Sequence, residues 1–386
     1  MRIAYCTNVR LPTERAHGHQ VARVCDALAK LGHDVTIFAP FRRNPVKNTF
    51  WDFHNADKSI KMNHLGTFDP IDSWIPKILQ LPALNFFFAR ALKKELTTTA
   101  YDVIYTRTPA LLPTLLKTNI PVILELHTLP NRDRGRFVEC CNRCALIVCL
   151  TTPMRDELVS WGTDAKKSIV ESDAIDMKFF ENVPAGDYPT PDQLPDDAKF
   201  VGYAGQIVSM GLSKGITEML DTLEILTKKE VHVFGKIAGP PPADEQLAKK
   251  LGKHPAPYFF YSFIPHDLIS GFYASCDVLV YPAPKSSHSF FMRDTSPLKI
   301  FEYMAAGKPI VTADLPPIRD ILDESTAFFC KPGDPQDLAR AIKEALDSPE
   351  EAQKRAAAAR KKVEQYTWDK RMQRILNVFS SLSPRA

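Results

Sequence analysis

The segment Asp294-Thr295-Ser296-Pro297-Leu298-Lys299-Ile300-Phe301-Glu302 places two carboxylates eight positions apart around the start of a short helix. Ser296 has the side chain of an N-cap, Pro297 suits the first helical position, and Gly307 followed by Pro309 supplies a C-terminal stop. Unpaired N–H groups and the positive end of the helix dipole at such a start can hold a diphosphate, with Glu302 further along accepting hydrogen bonds from ribose hydroxyls. The plainer alternative is a pair of surface carboxylates around a capped helix.

A second segment runs Gly202-Tyr203-Ala204-Gly205-Gln206 and then Gly211-Leu212-Ser213-Lys214-Gly215. A strand that ends in a glycine-containing loop with a lysine before the next helix can deliver an ammonium group to a phosphate. It is not a P-loop, because Lys214 precedes Gly215, and no G-x-G-x-x-G follows the first strand, which argues against a nicotinamide cofactor. A solvated loop lysine is the competing reading. A third candidate is His127 in Glu125-Leu126-His127, at the carboxyl end of an expected strand, where side chains of open α/β sheets reach a binding crevice; a structural histidine is the alternative. In the loop Thr13-Glu14-Arg15-Ala16-His17-Gly18-His19, Gly18 would let backbone approach a ligand closely. Two histidines there raise the possibility of metal, but no carboxylate set stands at ligand spacing, so no metal is expected.

The elements that must position these residues read as alternating strands and helices. Apolar runs at Arg2–Thr7, Asp34–Ala39, Asp102–Thr106, Val122–Leu126 and Leu146–Leu150 alternate with helix-length stretches, the pattern of a buried parallel sheet. Val21, Val24, Cys25 and Leu28 form one apolar helical stripe, ended by Gly32. After a Pro- and Asp-rich stretch at 182–197, read as a linker, the alternation resumes at Phe200–Ala204, Val231–Ile237, Pro257–Phe263, Val278–Tyr281, Ile310–Ala313 and Ala327–Cys330, with helices at Glu350–Lys362 and Trp368–Phe379. The expected architecture is α/β, two doubly wound Rossmann-like domains over residues 1–185 and 186–365, with residues 366–386 forming a helix that returns to the first domain.

The 386 residues suffice for two domains, and 45% hydrophobic with 24% charged residues is an ordinary globular balance. No apolar run reaches the roughly 18 residues of a membrane span, and no signal peptide is recognisable, so a cytoplasmic protein is expected. Of eight cysteines, Cys6, Cys25, Cys149 and Cys276 lie inside apolar runs, which points to free thiols. Cys140-Cys141-Asn142-Arg143-Cys144 has redox or metal spacing but no second pair or nearby histidine, so it too is read as structural. Net charge is +4, too small to imply nucleic acid, yet residues 1–110 carry 15 Lys+Arg against 9 Asp+Glu, which fits anionic lipid or phosphate partners as well as a solvated surface.

Taken in order, these pieces resemble the retaining family-four glycosyltransferases of the GT-B fold, over nearly the whole chain. The resemblance rests on Asp294-x7-Glu302 followed by Gly307-Lys308-Pro309-Ile310-Val311, and in narrower form on Leu11–His17 and Ser296–Met304, which look like a branch active in surface-polysaccharide assembly. It implies two domains facing a cleft, the first on the acceptor side and the second binding a nucleotide sugar, UDP- or GDP-linked. It implies that Glu302 binds the ribose, that Asp294 lies near the donor sugar, that Lys214 neutralises the diphosphate leaving group and that His127 contacts the transferred sugar. Gly205, Gln206, Ser296, Pro297, Leu298 and Gly18 would line the donor site. The implied reaction retains anomeric configuration and, with no Asp-x-Asp motif at a suitable position, uses neither metal nor cofactor. The chain departs from the family pattern at Gln206, where an arginine is common, at Asp294, where glutamate is usual, and at Gly18, where glycines are often paired.

For the acceptor, which would be a glycan or lipid-linked, Trp74–Leu79 with Phe86-Phe87-Phe88-Ala89-Arg90 and Lys93-Lys94 combines aromatic and basic residues. A buried helix is the favoured reading, and peripheral contact with an anionic membrane the alternative. Other functions compatible with the residues are a GT-B-fold sugar epimerase and a non-catalytic nucleotide-sugar-binding protein.

Overall fold

In the computed structural model, residues 1–71, 73–181, 188, 194–209, 211–262, 264–265 and 268–382 are described. The chain divides into two compact units, Met1–Ser172 with Trp368–Ala386, and Asp173–Thr367.

The first unit is built on seven parallel strands, β1 (Arg2–Cys6), β2 (Asp34–Pro40), β3 (Lys61–Leu65), β4 (Val103–Thr106), β5 (Val122–Leu126), β6 (Leu146–Cys149) and β7 (Ser168–Val170), in the order β3-β2-β1-β4-β5-β6-β7. The central strands read as unbroken apolar runs because helices cover both sheet faces. The helix Ala16–Lys30 buries Val21, Val24, Cys25 and Leu28 as its stripe requires. The edge strands β3 and β7 had no sequence expectation. Lys61-Met62-Asn63-His64-Leu65 is largely polar and half-exposed, and β7 has three residues, so neither carries a core strand's signature.

The second unit holds a six-stranded parallel sheet of β8 (Lys199–Ala204), β11 (Val233–Ala238), β12 (Tyr258–Tyr261), β13 (Val278–Tyr281), β14 (Ile310–Ala313) and β15 (Phe328–Cys330), ordered β12-β11-β8-β13-β14-β15. A short antiparallel hairpin, β9 (Val208–Ser209) with β10 (Leu212–Ser213), lies between β8 and the helix Ile216–Thr227. The sequence did not signal it, since each strand has only two residues. In each sheet the winding direction reverses beside the first strand of the unit, between β1 and β4 and between β8 and β13. The carboxyl ends of those strands are where open α/β sheets bind ligands.

Most of the stretch 182–197 lies outside the described residues. The first division falls at 172/173, upstream of the expected 185/186, because Ile175 and Phe180 are buried in the second unit's core. The second falls at 367/368, beside the expected 365/366.

The buried-helix reading of residues 74–94 is corrected in part. The helix Lys77–Thr98 buries Leu84, Phe88, Leu92 and Leu96 on one face, while Trp74 (89% exposed), Ile78 (83%) and Phe86 (66%) stand in solvent with Leu79, Leu81 and Phe87. A helix laid on the outside of a sheet can bury one stripe only, and here the opposite stripe is apolar as well. Among the described residues no helix is long and apolar enough to cross a membrane. All eight cysteines are free, and burial pushes the Cys144 thiol up to about 12, which suits a structural thiol better than a reactive one.

Candidate functional site

In the second unit the switch point is held together by glycines. Gly205, just past β8, has φ +135, donates its N–H to the Ala238 carbonyl at 2.7 Å, and has its own carbonyl pressed against Gly239, where a side chain would begin 2.1 Å away. Gly215, with φ +84, packs so tightly on the backbone of Ala283 past β13 that an added Cβ would fall 2.7 Å from its nitrogen. These contacts fix the two ends of the loop that carries Lys214.

Lys214 is 9% exposed, and its ammonium lies 3.4 Å from the centroid of the Phe290 ring. Burial, and then the neighbouring charge of Lys299, push it down to about 7. Lys299 belongs to the helix Leu298–Ala306. Its ammonium lies 5.3 Å from the Tyr203 ring centroid and occupies the space beside Gly205, where a Cβ would fall 2.2 Å from Nζ. Burial lowers the Lys299 ammonium as well, against the opposing pull of Glu302 one turn along. Among the described residues neither ammonium donates a hydrogen bond or pairs with a carboxylate. Glu302 is fixed by the buried Tyr273, whose hydroxyl donates to Oε2 at 2.6 Å. Gln206 stands exposed beside these groups, its backbone carbonyl accepting from the Tyr203 hydroxyl at 2.8 Å.

One expectation changes here, and a second residue has a partner that its spacing did not show. Ser296 is not the N-cap: the helix starts at Leu298 with Pro297 as the capping position, and the Ser296 hydroxyl accepts instead from the Asp173 backbone N–H at 3.0 Å. Asp294, buried in the π-helical turn Phe290–Asp294, gives both oxygens to its neighbour Arg293, at 2.6 and 3.0 Å. A sugar hydroxyl at Asp294 would share the carboxylate with that guanidinium, using the lone pairs left over. Gly307 closes the helix as anticipated, with φ +64.

In the first unit Glu125, wholly buried at the end of β5, organises a polar cluster. His127 Nε2 lies 2.8 Å from Glu125 Oε1, which places the proton on Nε2 because an ionised carboxylate only accepts. Gln20 donates to the same oxygen, Tyr105 donates to Oε2, and Arg371 from the helix Trp368–Leu382 reaches Oε2 at 3.0 Å. Burial alone would raise Glu125, but the Arg371 charge with the His127 and Tyr105 hydrogen bonds carries it well below the usual carboxylate range. The Gly18 N–H donates to the Arg15 carbonyl at 2.9 Å, and a Cβ there would meet Thr13 and His54, so the position has no room for a side chain. Next to it, burial and Arg107 push His17 down to about 4, so it is neutral at ordinary pH. Among the described residues no group of three or more His, Cys, Asp or Glu could hold a metal ion.

Thus Gly205, Gln206, Lys214, Leu298 and Glu302 converge on the carboxyl ends of β8 and β13, while His127 and Gly18 belong to the first unit. Sequence reasoning missed Lys299, Arg371 and Tyr273. Arg371 had a signal, a charge inside the apolar stripe Trp368, Met372, Ile375 and Phe379, and Lys299 shares a helix face with Glu302 three positions on.

Two Rossmann-like sheets of this order are the architecture of the GT-B fold, and comparison with known proteins agrees. The model for glycosyl transferases group 1 matches residues 188–362, and that for glycosyltransferase family 4 matches residues 18–179. The chain belongs to the family-four glycosyltransferases. No curated protein matches the sequence at a significant level. Solved structures of similar fold include Anabaena HepE in complex with UDP and glucose (17% identity, TM-score 0.68, covering 99% of this chain and 100% of that one). A glycosyltransferase from Rickettsia africae (16%, 0.72, 100% and 99%) and the sucrose-phosphate synthase of Thermosynechococcus elongatus (17%, 0.72, 100% of both chains) are also similar.

Proposed function

We propose that the protein transfers a sugar, with retention of anomeric configuration and without metal or cofactor, from a UDP- or GDP-linked donor to a glycan or lipid-linked acceptor of surface-polysaccharide assembly. The observation that carries this reading is Lys214, a buried ammonium with no carboxylate partner among the described residues, held by two glycine contacts at the switch point of the second sheet. As the sugar–phosphate bond breaks, negative charge grows on the diphosphate, and an ammonium already desolvated there stabilises the transition state more than the ground state. Glu302, oriented by Tyr273, accepts from the ribose hydroxyls, and His127, oriented by Glu125, contacts the transferred sugar. The UDP and glucose of the HepE complex are in keeping with such a donor.

The stripe of Trp74, Ile78, Leu79, Leu81, Phe86 and Phe87 beside Lys77, Arg90, Lys93 and Lys94 supports peripheral binding to an anionic lipid surface, where a lipid-linked acceptor would be presented. The eight reduced cysteines fit the cytoplasmic side. The test is product stereochemistry: with a turned-over donor and acceptor, nuclear magnetic resonance of the first product should show the donor's anomeric configuration, at a rate EDTA leaves unchanged. An inverted product, or activity abolished by EDTA and restored by a divalent ion, contradicts the proposal.

A further inference from the structure

We infer that Lys299 is a second phosphate-binding cation, forming with Lys214 a two-ammonium cradle for a nucleoside diphosphate; the inference rests on the donor reading above. The two side chains come from different elements, the loop after the β9–β10 hairpin and the first turn of the helix Leu298–Ala306, yet both are tied to the end of β8: the Lys214 N–H donates to the Ile207 carbonyl at 2.9 Å, and the Lys299 ammonium stands beside Gly205. Both are held against aromatic rings, Phe290 for Lys214 and Tyr203 for Lys299. Neither has a carboxylate or hydrogen-bond acceptor among the described residues. Two like charges, partly desolvated and unpaired, oppose folding, so stability does not account for the arrangement. An anion of more than one negative charge repays both costs at once.

Gly205 shows how the second cation reaches the site. The Lys299 ammonium lies 2.2 Å from where a Cβ would stand, so any side chain at 205 would displace it. The neutral Gln206 then leaves no charge deficit at the end of β8, because the helix supplies from one side what the loop lacks. Glu302, one turn from Lys299, favours its charged form without capturing it. Lys299 thus touches the leaving group and counts as a binding and catalytic group rather than as packing.

The experiment titrates the full chain calorimetrically with UDP, GDP, ADP and dTDP, and then with the monophosphate and nucleoside of whichever binds, for wild type, K299M, K299R and K214M. Loss of one charge-assisted contact predicts a tenfold to hundredfold weaker diphosphate affinity in K299M, on the order expected for such bonds. The monophosphate should lose less and the nucleoside nothing, while K299R keeps most of the affinity. Circular dichroism confirms folding, and K299Q gives the same readout should K299M not fold. Diphosphate affinity unchanged in K299M but lost in K214M overturns the role of Lys299 and leaves the donor reading standing. A wild type that binds none of the four overturns both.

Discussion

The Arg371 guanidinium lies 3.0 Å from the Glu125 carboxylate, and both side chains are wholly buried. The two residues are 246 apart in sequence, so the pair ties the C-terminal helix into the first sheet beneath His127. Removing one partner of such a pair strands the other charge in the interior. Arg371→Met should destabilise the fold by about 3–5 kcal/mol, measured by urea unfolding, and Glu125→Gln in the same chain should recover part of the loss. Because Glu125 is depressed in the folded state, its contribution is complete above the ordinary carboxylate value of 4.5 and is lost as pH falls through the lower folded value. An Arg371→Met chain as stable as wild type would contradict this.

Lys214 acts with the same sign in a higher pH window. It titrates near 10.5 in the unfolded chain and about 7 when folded, so between those values the unfolded state binds more protons and this residue's contribution makes stability rise with pH. If Lys214 holds the diphosphate as proposed, binding should favour the ammonium and take up part of a proton. At pH 8, calorimetry in buffers of different ionisation enthalpy should register that uptake, and Lys214→Met should abolish it. Equal uptake in both proteins would count against the assignment.

Gly205→Ala is expected to weaken diphosphate binding without touching a ligand itself. The added methyl meets the Lys299 ammonium and sits at φ +135, where side chains are strained, at a cost of order 1–3 kcal/mol. The melting temperature should fall and affinity should fall with it. Unchanged affinity would place Lys299 elsewhere.

The apolar stripe of the helix Lys77–Thr98 gives a prediction independent of the donor site. Co-sedimentation with vesicles containing anionic lipid should be measurable at low salt, weaken as salt screens the lysines, and fall in Trp74→Ser/Ile78→Ser/Phe86→Ser. Binding equal with neutral vesicles, or none at low salt, would rule out the anionic surface as its partner.

The parts of this architecture legible in the sequence were those in which one signal had one cause. Central strands such as Val278–Tyr281 are apolar because both faces are buried, and the stop at Gly307 needs a left-handed residue. β3 at the sheet edge obeys neither rule, because half its surface meets solvent. The spacing of Asp294 and Glu302 identified the helix but not its start, since the Ser296 hydroxyl is engaged by Asp173, 123 residues away. Nor could spacing show that Arg293 claims Asp294, that Tyr273 orients Glu302 or that Lys299 lies over Gly205. Such partnerships arise between elements, and local pattern does not record them.

The central claim is that the second unit binds a nucleoside diphosphate sugar through Glu302 and Lys214. The most direct test is the thermal shift of wild type, Glu302→Ala and Lys214→Ala with UDP, GDP, ADP and dTDP and their sugars, because a ligand of the native state raises the melting temperature by mass action. The account predicts stabilisation of the wild type by one nucleotide series, lost in both variants. Stabilisation that persists in both, or a wild type indifferent to every nucleotide, would contradict it.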